Sequence, residues 1–363
     1  MGGAFLATVD NRDYRIDGAA VNSFLAGPPQ QDREAPLDAS GRLRFWRDRR
    51  LRSAQSFVRR NGHPVSPDKL VSGAAIYLNV GHQNLTRERV ELLRSAGWRS
   101  VAMIHDTHPV DLPQFAGPGS RDRFQAFLNA ATQADIVLSN SRDTARHLTP
   151  YLAKEKIVTA PLGVGPPSPA TVKPAKVDGR RGAFLCIGTI EPRKNHAMLL
   201  DIWSSLGADA PHLRIVGRRG WRNEAVFRRL ETDETIGKTV FEVGAIDDAQ
   251  LAEEICSARA VLMPSLAEGY GLPVAEALSL GTPVIASDLP ALHEVGGAVP
   301  HWLPPNDPRA WKAAILEFGK CPSPVRDAQL DRLRSWTPPT WQAHFAIVAA
   351  AIGLEDTNQP SLA

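Results

Sequence analysis

Short apolar runs alternate with helical patterns along most of this 363-residue chain, and this alternation limits the possible folds more than any other feature. Between residues 70 and 165 the apolar runs are AAIYLNV, SVAMIHD, DIVLSNS and KIVTAPL. TRERVELLRSAG (86–97), which lies between the first two, has the periodicity of an amphipathic helix. Buried strands separated by helices are typical of a parallel sheet, because parallel strands need a long crossover connection. The sequence therefore predicts an α/β fold.

A segment rich in proline and glycine (161–182) interrupts this alternation and is typical of a linker. The alternation then restarts with AFLCIGT, HLRIVG, TVFEVG, AVLMPS and PVIAS. A chain of this length exceeds what one hydrophobic core usually supports, so we expect two doubly wound, Rossmann-like domains. We place the N-terminal domain at 1–165 and the C-terminal domain at 166–340. A final helix with a tail takes 341–363, and Thr340 is the predicted N-cap of that helix.

The composition is that of a soluble globular protein, with 43% hydrophobic and 22% charged residues. Cys186, Cys256 and Cys321 lie far apart and form no C-x-x-C pair, so neither a zinc site nor a disulfide framework is predicted. The sequence shows no signal-peptide pattern and no apolar stretch long enough to span a membrane. These features favour a cytoplasmic location.

The net charge of +3 is too small to indicate binding to nucleic acid. The arginines are nevertheless clustered, because residues 42–60 hold eight arginines and one aspartate. As a basic amphipathic helix, this segment would suit peripheral contact with anionic lipid at the inner face of the plasma membrane. The alternative is a solvated domain helix whose long arginine side chains cover apolar surface.

A pair of adjacent cations follows one of the predicted strands, at the place where open α/β sheets bind ligands. GTIEPRKNH (188–196) contains Arg193 and Lys194, and Asn195 is placed to cap the next helix. Two cations beside a helix N-terminus suit a diphosphate, because charge-assisted hydrogen bonds to anionic oxygens are strong. A solvated basic turn is the alternative.

A second stretch, PSLAEGYGLPVAEAL (264–278), places two glutamates around a glycine-rich loop. Gly271 permits close approach of the backbone, and the following proline suits the first turn of a helix whose free amides would attract phosphate. We expect Glu276 in that first turn and Glu268 in the loop before it, where carboxylates can accept sugar hydroxyls. Stabilisation of the helix dipole is the alternative account of Glu276.

Two further stretches follow predicted strands. In GTPVIASDLPALHEVGG (281–297), structural roles explain most of the pattern. The glycines of VGRRGW (216–221) either line a cleft or turn the chain.

In this order and spacing, the four stretches resemble the nucleotide-sugar-dependent glycosyltransferases of family 4. That family has the GT-B fold, with two Rossmann-like domains facing a cleft and a C-terminal helix that returns toward the first domain. The two spaced glutamates match the family's E-x7-E element, and Arg193 and Lys194 match its diphosphate-binding pair. GTIEPRKN is similar to the bacterial α-mannosyltransferases that build O-antigen and exopolysaccharide. The resemblance covers 183–300 and is weaker from 70 to 165.

IHDTHP (104–109) resembles the HD element of the N-terminal domain in those mannosyltransferases. By that likeness, His105 faces the donor sugar and Asp106 faces the acceptor side. A hydrogen-bonded structural histidine is the alternative, and the neighbouring His108 makes the assignment less unique. SNSRDTARHL (139–148) resembles the family's serine-containing turn before a helix.

The resemblance also implies roles for the donor contacts: diphosphate on Arg193, Lys194, Gly271 and Leu272, ribose on Glu276, and sugar hydroxyls on Glu268. It implies retention of the anomeric configuration, with cations stabilising the departing diphosphate. No metal and no other cofactor is expected, and the chain has no D-x-D motif of the kind that holds a divalent ion in the other major glycosyltransferase fold.

We therefore expect a retaining hexosyltransferase that moves mannose from GDP-mannose to a lipid-linked or polysaccharide acceptor in cell-surface glycan synthesis. The alternatives are a GT-B enzyme that uses a UDP-sugar, a nucleotide-sugar hydrolase and a non-catalytic nucleotide-sugar-binding subunit. The last is suggested by GGAFLATVD (2–10), which predicts a strand but is not followed by the family's usual glycine loop. A dinucleotide oxidoreductase is disfavoured because no G-x-G-x-x-G follows a predicted strand.

Overall fold

The computed structural model describes the backbone of residues 4–9, 12–17 and 63–65, and both backbone and side chains of residues 76–165 and 182–353. The basic segment 42–60, the tail from residue 354 and most of the predicted linker lie outside the described residues. The hypotheses about those segments therefore stay predictions.

The elements before the linker are, in chain order, β1 (Ala4–Val9), β2 (Arg12–Asp17), β3 (His63–Val65), β4 (Ile76–Asn79), α1 (Arg87–Ser95), β5 (Arg99–Ile104), α2 (His108–Asp111), α3 (Ser120–Ala131), β6 (Ile136–Ser139), α4 (Arg142–Leu148) and β7 (Ile157–Thr159). β4 pairs in parallel with β5, and β6 pairs in parallel with β7. The four strands predicted in this half of the chain are confirmed.

The first strands form a different kind of sheet. β1, β2 and β3 lie side by side in that order, and both pairings are antiparallel. The predicted strand at residues 2–10 is thus present as β1, but it does not open a parallel βαβ unit. Only two residues separate β1 from β2, and a connection of that length suits a hairpin, whereas parallel strands need a dozen residues or more.

The elements after the linker are β8 (Phe184–Ile187), α5 (His196–Leu206), β9 (Leu213–Val216), α6 (Glu224–Thr232), β10 (Val240–Gly244), α7 (Asp248–Ser257), β11 (Ala260–Met263), α8 (Leu272–Ser279), β12 (Val284–Ser287), α9 (Pro290–Gly296), β13 (His301–Leu303), α10 (Pro308–Gly319), α11 (Pro324–Leu333) and α12 (Trp341–Ala351). The five strands predicted here are confirmed. β13 was not predicted, because its three residues, HWL, are too few to show a pattern.

The second set of strands forms one parallel sheet in the order β10-β9-β8-β11-β12-β13. Both faces of this sheet are buried, as the alternation along β8 shows. Phe184 packs with Trp203 and Trp311 in the core on one face, while Leu185 packs with Val274 in the core on the other face. Helices therefore cover the sheet on both sides, which is the doubly wound arrangement expected from the sequence.

Within the described residues, the chain forms two compact units. One contains the antiparallel sheet with residues 76–102 and 129–135, and the other contains residues 103–128, 136–165 and 182–353. The domain limits proposed from the sequence stay a prediction.

The last helix, α12, returns to the residues that precede the linker. Thr340 caps it, since its hydroxyl accepts a hydrogen bond of 3.1 Å from the Ala343 amide, as predicted. The Val164 amide donates to the Pro339 carbonyl at 3.0 Å. On the helix itself, Nδ1 of the buried His344 lies 3.1 Å from the Ala160 carbonyl. These contacts hold α12 against residues 160–164.

A buried glutamine on α11 supports the edge of the parallel sheet. The Gln329 side chain accepts from the Val284 amide at 3.0 Å and donates to the Val284 and Val299 carbonyls at 2.7 and 3.0 Å. Gln329 is fully buried, so its amide replaces the water that these backbone groups would otherwise bind.

Replacing Gln329 with methionine should destabilise the fold, because the side chain keeps its length but no longer accepts from the buried Val284 amide or donates to the Val284 and Val299 carbonyls. The expected loss is about 2–4 kcal/mol, which corresponds to roughly 5–10 °C in the unfolding temperature of a domain of this size. Circular dichroism melting measures it. Gln342→Met, on the exposed side of α12, is the matched control and should change the melting temperature by less than roughly 2 °C. Equal shifts in the two variants would contradict the assigned role of Gln329.

Candidate active site

The candidate site lies where the strand order of the parallel sheet changes direction. β8 lies between β9 and β11, and ligands in such sheets bind in the crevice between the strands at this switch point, beyond their carboxyl ends. The chain that leaves β8 contains residues 188–196, and the chain that leaves β11 contains residues 264–271. A hydrogen bond of 2.8 Å from the Leu266 amide to the Arg193 carbonyl joins the two segments. The topology thus brings together two of the stretches that the sequence singled out.

A buried cluster of charged side chains occupies this place. One carboxylate oxygen of Glu268 lies 2.6 Å from Nζ of Lys194, and the other lies 2.8 Å from the Arg193 guanidinium. The same guanidinium reaches Glu191 at 2.7 Å and donates to the Ala267 carbonyl at 2.6 Å. The side chains of Glu268, Lys194 and Arg193 are only 8%, 11% and 17% exposed, so these are not surface ion pairs. We call Glu191, Arg193, Lys194 and Glu268 the charged cluster.

The charged cluster is arranged to keep Glu268 ionised and part of Lys194 available. Burial raises the pKa of Glu268, but the charges of Lys194 and Arg193 outweigh burial and lower it to about 2. An ammonium group has three N–H donors, and Glu268 takes one of them. No second acceptor contacts Nζ among the described residues, so the two other donors can bind oxygens of a ligand.

The start of α8 supplies backbone donors in the same segment. Gly271 has a left-handed backbone with φ of 108°, and a Cβ there would lie 2.5 Å from Cδ2 of Leu292, so glycine is required on both grounds. Within the described part of the chain, the amides of Gly271 and Leu272 donate no hydrogen bond. Unpaired amides at the positive end of a helix are suited to phosphate oxygens.

Glu276 does not lie where the sequence placed it. α8 begins at Leu272, so Glu276 falls in the second turn of the helix rather than the first. The dipole at the helix start therefore does not explain this residue, since that effect fades within the first turn. The Glu276 carboxylate has no hydrogen-bond or ion-pair partner among the described residues. Burial, with a smaller contribution from the charge of Asp248, raises the pKa of Glu276 to about 7.

The HD element lies against the glycine-rich loop. A Cβ on Gly269 would lie 2.2 Å from the His105 carbonyl oxygen and 2.9 Å from Cβ of Asp106, so only glycine allows this approach. The Ser141 hydroxyl donates to the Gly269 carbonyl at 2.6 Å and holds the loop from a second side. The structure thus places His105 and Asp106 beside the loop that carries Glu268.

His108 is a site residue that sequence reasoning did not assign. Its backbone amide donates to the Asp106 carboxylate at 3.1 Å, and its side chain is only 14% exposed. Burial lowers the pKa of His108 and outweighs the opposing charge of Asp106, while the charges of Arg193 and Glu268 also act on it. The imidazole is therefore neutral at pH 7 and lies close to the charged cluster. The second histidine of IHDTHP was the sequence feature from which this residue could have been predicted.

Glu191 was also missed, although it stands two positions before Arg193 in the sequence. It is 4% exposed, and burial raises its pKa against the opposing charges of Arg193 and Lys194. A charged residue buried to this degree needs a partner, and Arg193 supplies it.

The side-chain cap predicted before α5 is absent, whereas α4 does have a side-chain cap. Asn195 does occupy the position before α5, but its side-chain oxygen accepts no hydrogen bond from the helix amides, so that prediction was wrong. Its side-chain NH₂ group donates instead to the Pro305 carbonyl at 3.2 Å and to Sδ of Met198 at 3.7 Å. Its left-handed backbone, with φ of 56°, turns the side chain away from the helix amides. In the serine-containing turn before α4, Ser141 caps the helix by accepting from the Thr144 amide at 2.9 Å. Glu294 accepts from the amides of Arg142 and Asp143 at 2.7 and 2.8 Å, which gives it a structural role.

Two searches of the described residues concern metals and membranes. No group of three or more histidine, cysteine, aspartate or glutamate side chains there is placed to hold a metal ion. None of the helices in these ranges combines the length and apolar character that crossing a membrane requires.

Comparison with known proteins identifies the class. Residues 181–320 match the family described as "Glycosyl transferases group 1". These residues hold the charged cluster, α8 and all six strands of the parallel sheet. Residues 181–320 are thus similar to a group 1 glycosyltransferase domain, and the fold of the chain is of the GT-B type.

Similar sequences include bacterial mannosyltransferases. The chain is 28% identical over 228 residues to the serotype-specific mannosyltransferase WbdA of Escherichia coli, a match covering 57% of this chain and 28% of WbdA. It is 32% identical over 234 residues to the O-antigen chain mannosyltransferase B of the same species, covering 60% of this chain and 61% of that protein. The chain thus matches less than two thirds of the length of either relative.

Similar solved structures share the fold at low sequence identity. Sucrose-phosphate synthase from Thermosynechococcus elongatus matches with a TM-score of 0.58 and 20% identity, over 76% of this chain and 72% of that chain. Alr3699/HepE of Anabaena, solved in complex with UDP and glucose, matches with a TM-score of 0.58 and 16% identity, over 74% of this chain and 77% of that chain.

The raised pKa of Glu276 predicts a pH-dependent cost to stability. A carboxyl whose pKa is higher in the folded protein than in the unfolded chain destabilises the fold as pH rises from about 4.5 to about 7. Glu276→Gln removes this cost. The difference in unfolding free energy between the variant and the unsubstituted protein should therefore grow in favour of the variant by about 1–3 kcal/mol from pH 5 to pH 8. Thermal unfolding at the two pH values measures the change. The control is Glu234→Gln at an exposed position, whose effect should be the same at both pH values. A gain in stability for Glu276→Gln that is no larger at pH 8 than at pH 5 would contradict the prediction.

Proposed function

We propose that this chain is a retaining glycosyltransferase of family 4 that transfers mannose from GDP-mannose to a lipid-linked or polysaccharide acceptor in cell-surface glycan synthesis. The observation that carries the proposal is the charged cluster at the switch point of a group 1 glycosyltransferase domain. The choice of mannose is supported by the two Escherichia coli mannosyltransferases that the chain resembles.

In this proposal the donor binds along the segments that leave β8 and β11. The diphosphate lies against Arg193 and Lys194 and takes hydrogen bonds from the amides of Gly271 and Leu272. The ribose hydroxyls donate to Glu276, whose carboxylate has no competing partner among the described residues. The pKa of Glu276 near 7 supports this role, because hydrogen-bond donors would stabilise its ionised form.

The reaction needs stabilisation of a leaving group more than it needs an acid. The bond between the anomeric carbon and the diphosphate oxygen breaks, and the acceptor oxygen bonds to that carbon on the same face. The departing diphosphate oxygen takes the acceptor proton. Negative charge grows on the diphosphate during this step, so fixed cations in a site with little water lower the barrier. Lys194 and Arg193 have that position and charge.

Glu268 has two functions in this scheme. Its salt bridges hold the two cationic groups in place before the donor arrives, so little reorganisation is needed during the reaction. Its remaining lone pairs can accept hydroxyl groups of the transferred sugar. His105 on the donor side and Asp106 on the acceptor side complete the proposed catalytic residues. The close approach of the His105 carbonyl and of Cβ of Asp106 to Gly269 supports a position beside the loop that carries Glu268.

A panel of nucleotide sugars tests the proposal. GDP-mannose should be turned over with a crude lipid-linked acceptor, and nucleotide release gives the rate. Lys194→Ala should lower the turnover number by about 10²–10³-fold, the typical cost of removing one group that stabilises developing negative charge. Glu268→Ala should also reduce transfer strongly, because both cations lose their anchor. Lys320→Ala, an exposed lysine on the same unit, is the matched control and should retain full activity.

The same panel separates the alternatives. Tighter binding of UDP than of GDP would favour an enzyme that uses a UDP-sugar. The observation behind this alternative is that Alr3699/HepE, which is similar in fold, was solved in complex with UDP. Sugar release without an acceptor would indicate hydrolysis, and nucleotide binding without turnover would indicate a non-catalytic subunit. Full activity after treatment with EDTA is expected, since the cations are proposed to act without a metal. Unchanged transfer in Lys194→Ala would overturn the site assignment.

We also propose peripheral contact between residues 42–60 and anionic membrane, where lipid-linked acceptors reside. The arginine content of the segment supports it. Flotation with liposomes of anionic or neutral lipid tests the contact, and equal binding to both would remove it.

A further inference from the structure

The loop GRRGWR (217–222), which follows β9, lies beside the charged cluster but has no part in the proposed donor contacts. The Gly220 amide donates to the Ile190 carbonyl at 3.1 Å. A Cβ on Gly220 would lie 2.7 Å from Cγ2 of Thr189 and 3.4 Å from Cβ of Glu191, so the loop packs directly on the segment that carries the cluster. Trp221 is the next residue, and it is therefore placed at the rim of the site.

Trp221 leaves a large apolar ring exposed at this rim. Its indole nitrogen donates to the Phe115 carbonyl at 2.8 Å, so its one polar atom is paired. Part of the ring packs over Gly117, where a Cβ would lie 3.4 Å from the indole. Even so, 36% of the residue remains open to solvent. The exposed part of the ring is a flat apolar surface that a ligand at the rim can reach.

The backbone and neighbours of Trp221 hold it in a fixed orientation. Arg222 has a left-handed backbone with φ of 50°, which is uncommon for a residue other than glycine. Strained backbone of this kind concentrates at functional sites. Gly220 is fixed on one side by residues 189–191, and the indole is fixed on the other by residues 115–117. A rigid aromatic surface binds a ligand with little loss of conformational entropy.

The position of the loop separates Trp221 from the proposed nucleoside site. α6 follows the loop directly, and its residues Val226 and Leu230 pack in the core on one face of the sheet. α8, which carries Glu276, packs in the core on the opposite face through Val274. The residues that Trp221 contacts follow the HD element, whose Asp106 is assigned to the acceptor side. Trp221 thus lies toward the acceptor and away from the ribose.

We propose that Trp221 is a stacking surface for a pyranose ring of the acceptor saccharide, an inference that rests on the proposed function. A pyranose ring presents an apolar face of C–H groups surrounded by hydroxyls. The indole offers a flat apolar surface that matches that face, and as a rigid ring it loses few degrees of freedom on binding. The structural alternative is that Trp221 only anchors residues 115–117 through its N–H group.

Three variants separate these roles in saccharide binding. The probes are methyl α-mannoside and an α-linked mannotetraose, titrated against the full chain by saturation-transfer NMR. Trp221→Ala should weaken binding of the tetrasaccharide about tenfold or more, as expected when a central aromatic contact is removed. Trp221→Phe keeps a ring but loses the hydrogen bond to Phe115, and it should stay within about twofold of the unsubstituted protein. Trp341→Ala removes another exposed tryptophan, on α12, and should have no effect.

GDP binding by calorimetry should be the same in all of these proteins. Equal saccharide binding in Trp221→Ala and the unsubstituted protein would overturn the inference, as would a loss in Trp221→Phe as large as in Trp221→Ala. Loss of GDP affinity in Trp221→Ala would show that the indole stacks on the nucleobase, and this would also overturn the inference. Failure of the unsubstituted protein to bind either saccharide would overturn the inference as well. The proposed function is judged separately, by turnover of the donor. If saccharide binding depends on Trp221 but no sugar is transferred, the proposed function fails while the binding surface stands.

Discussion

The salt bridges from Glu268 to Lys194 and Arg193 are the interaction on which the rest of the site depends. The one to Lys194 joins residues 74 positions apart in the chain, and both form only because β8 and β11 are neighbours in the sheet. Buried charges of this kind are costly unless all partners are present, and removal of one partner leaves an uncompensated charge. The cluster is therefore weak support for stability but strong support for a binding role. Its salt bridges fix the two cationic side chains at the place where the proposed function puts an anionic ligand.

Much of the parallel architecture could be predicted, because strands buried on both faces appear as continuous apolar runs such as AFLCIG and AVLM. The residues of the site could be predicted for a related reason, since ligands bind beyond the ends of such strands. The contacts among them could not, because the pairing of Glu268 with Lys194 depends on strand order. Glu276 was placed one turn too early because helix boundaries are uncertain by a residue or two in sequence. The β1–β2 hairpin was missed although its two-residue connection was visible.

The comparisons and the geometry constrain different parts of the account. Residues 181–320 match a glycosyltransferase family, and similarity in fold extends to proteins as different as a sucrose-phosphate synthase. Fold alone therefore does not determine the donor or acceptor. In the proposed function those choices depend on single groups at the site: the Glu276 carboxylate and two Lys194 donors, which have no partner among the described residues, and the exposed ring of Trp221.

A crystal structure of the chain with bound GDP is the most direct test of the central claim, which is that the charged cluster at the switch point holds the donor diphosphate. The account predicts that a terminal phosphate oxygen lies about 3 Å from Nζ of Lys194, with further hydrogen bonds from Arg193 and the start of α8. It also predicts ribose hydroxyls on Glu276. A diphosphate bound elsewhere, with no phosphate oxygen on Lys194 or Arg193, would contradict the account.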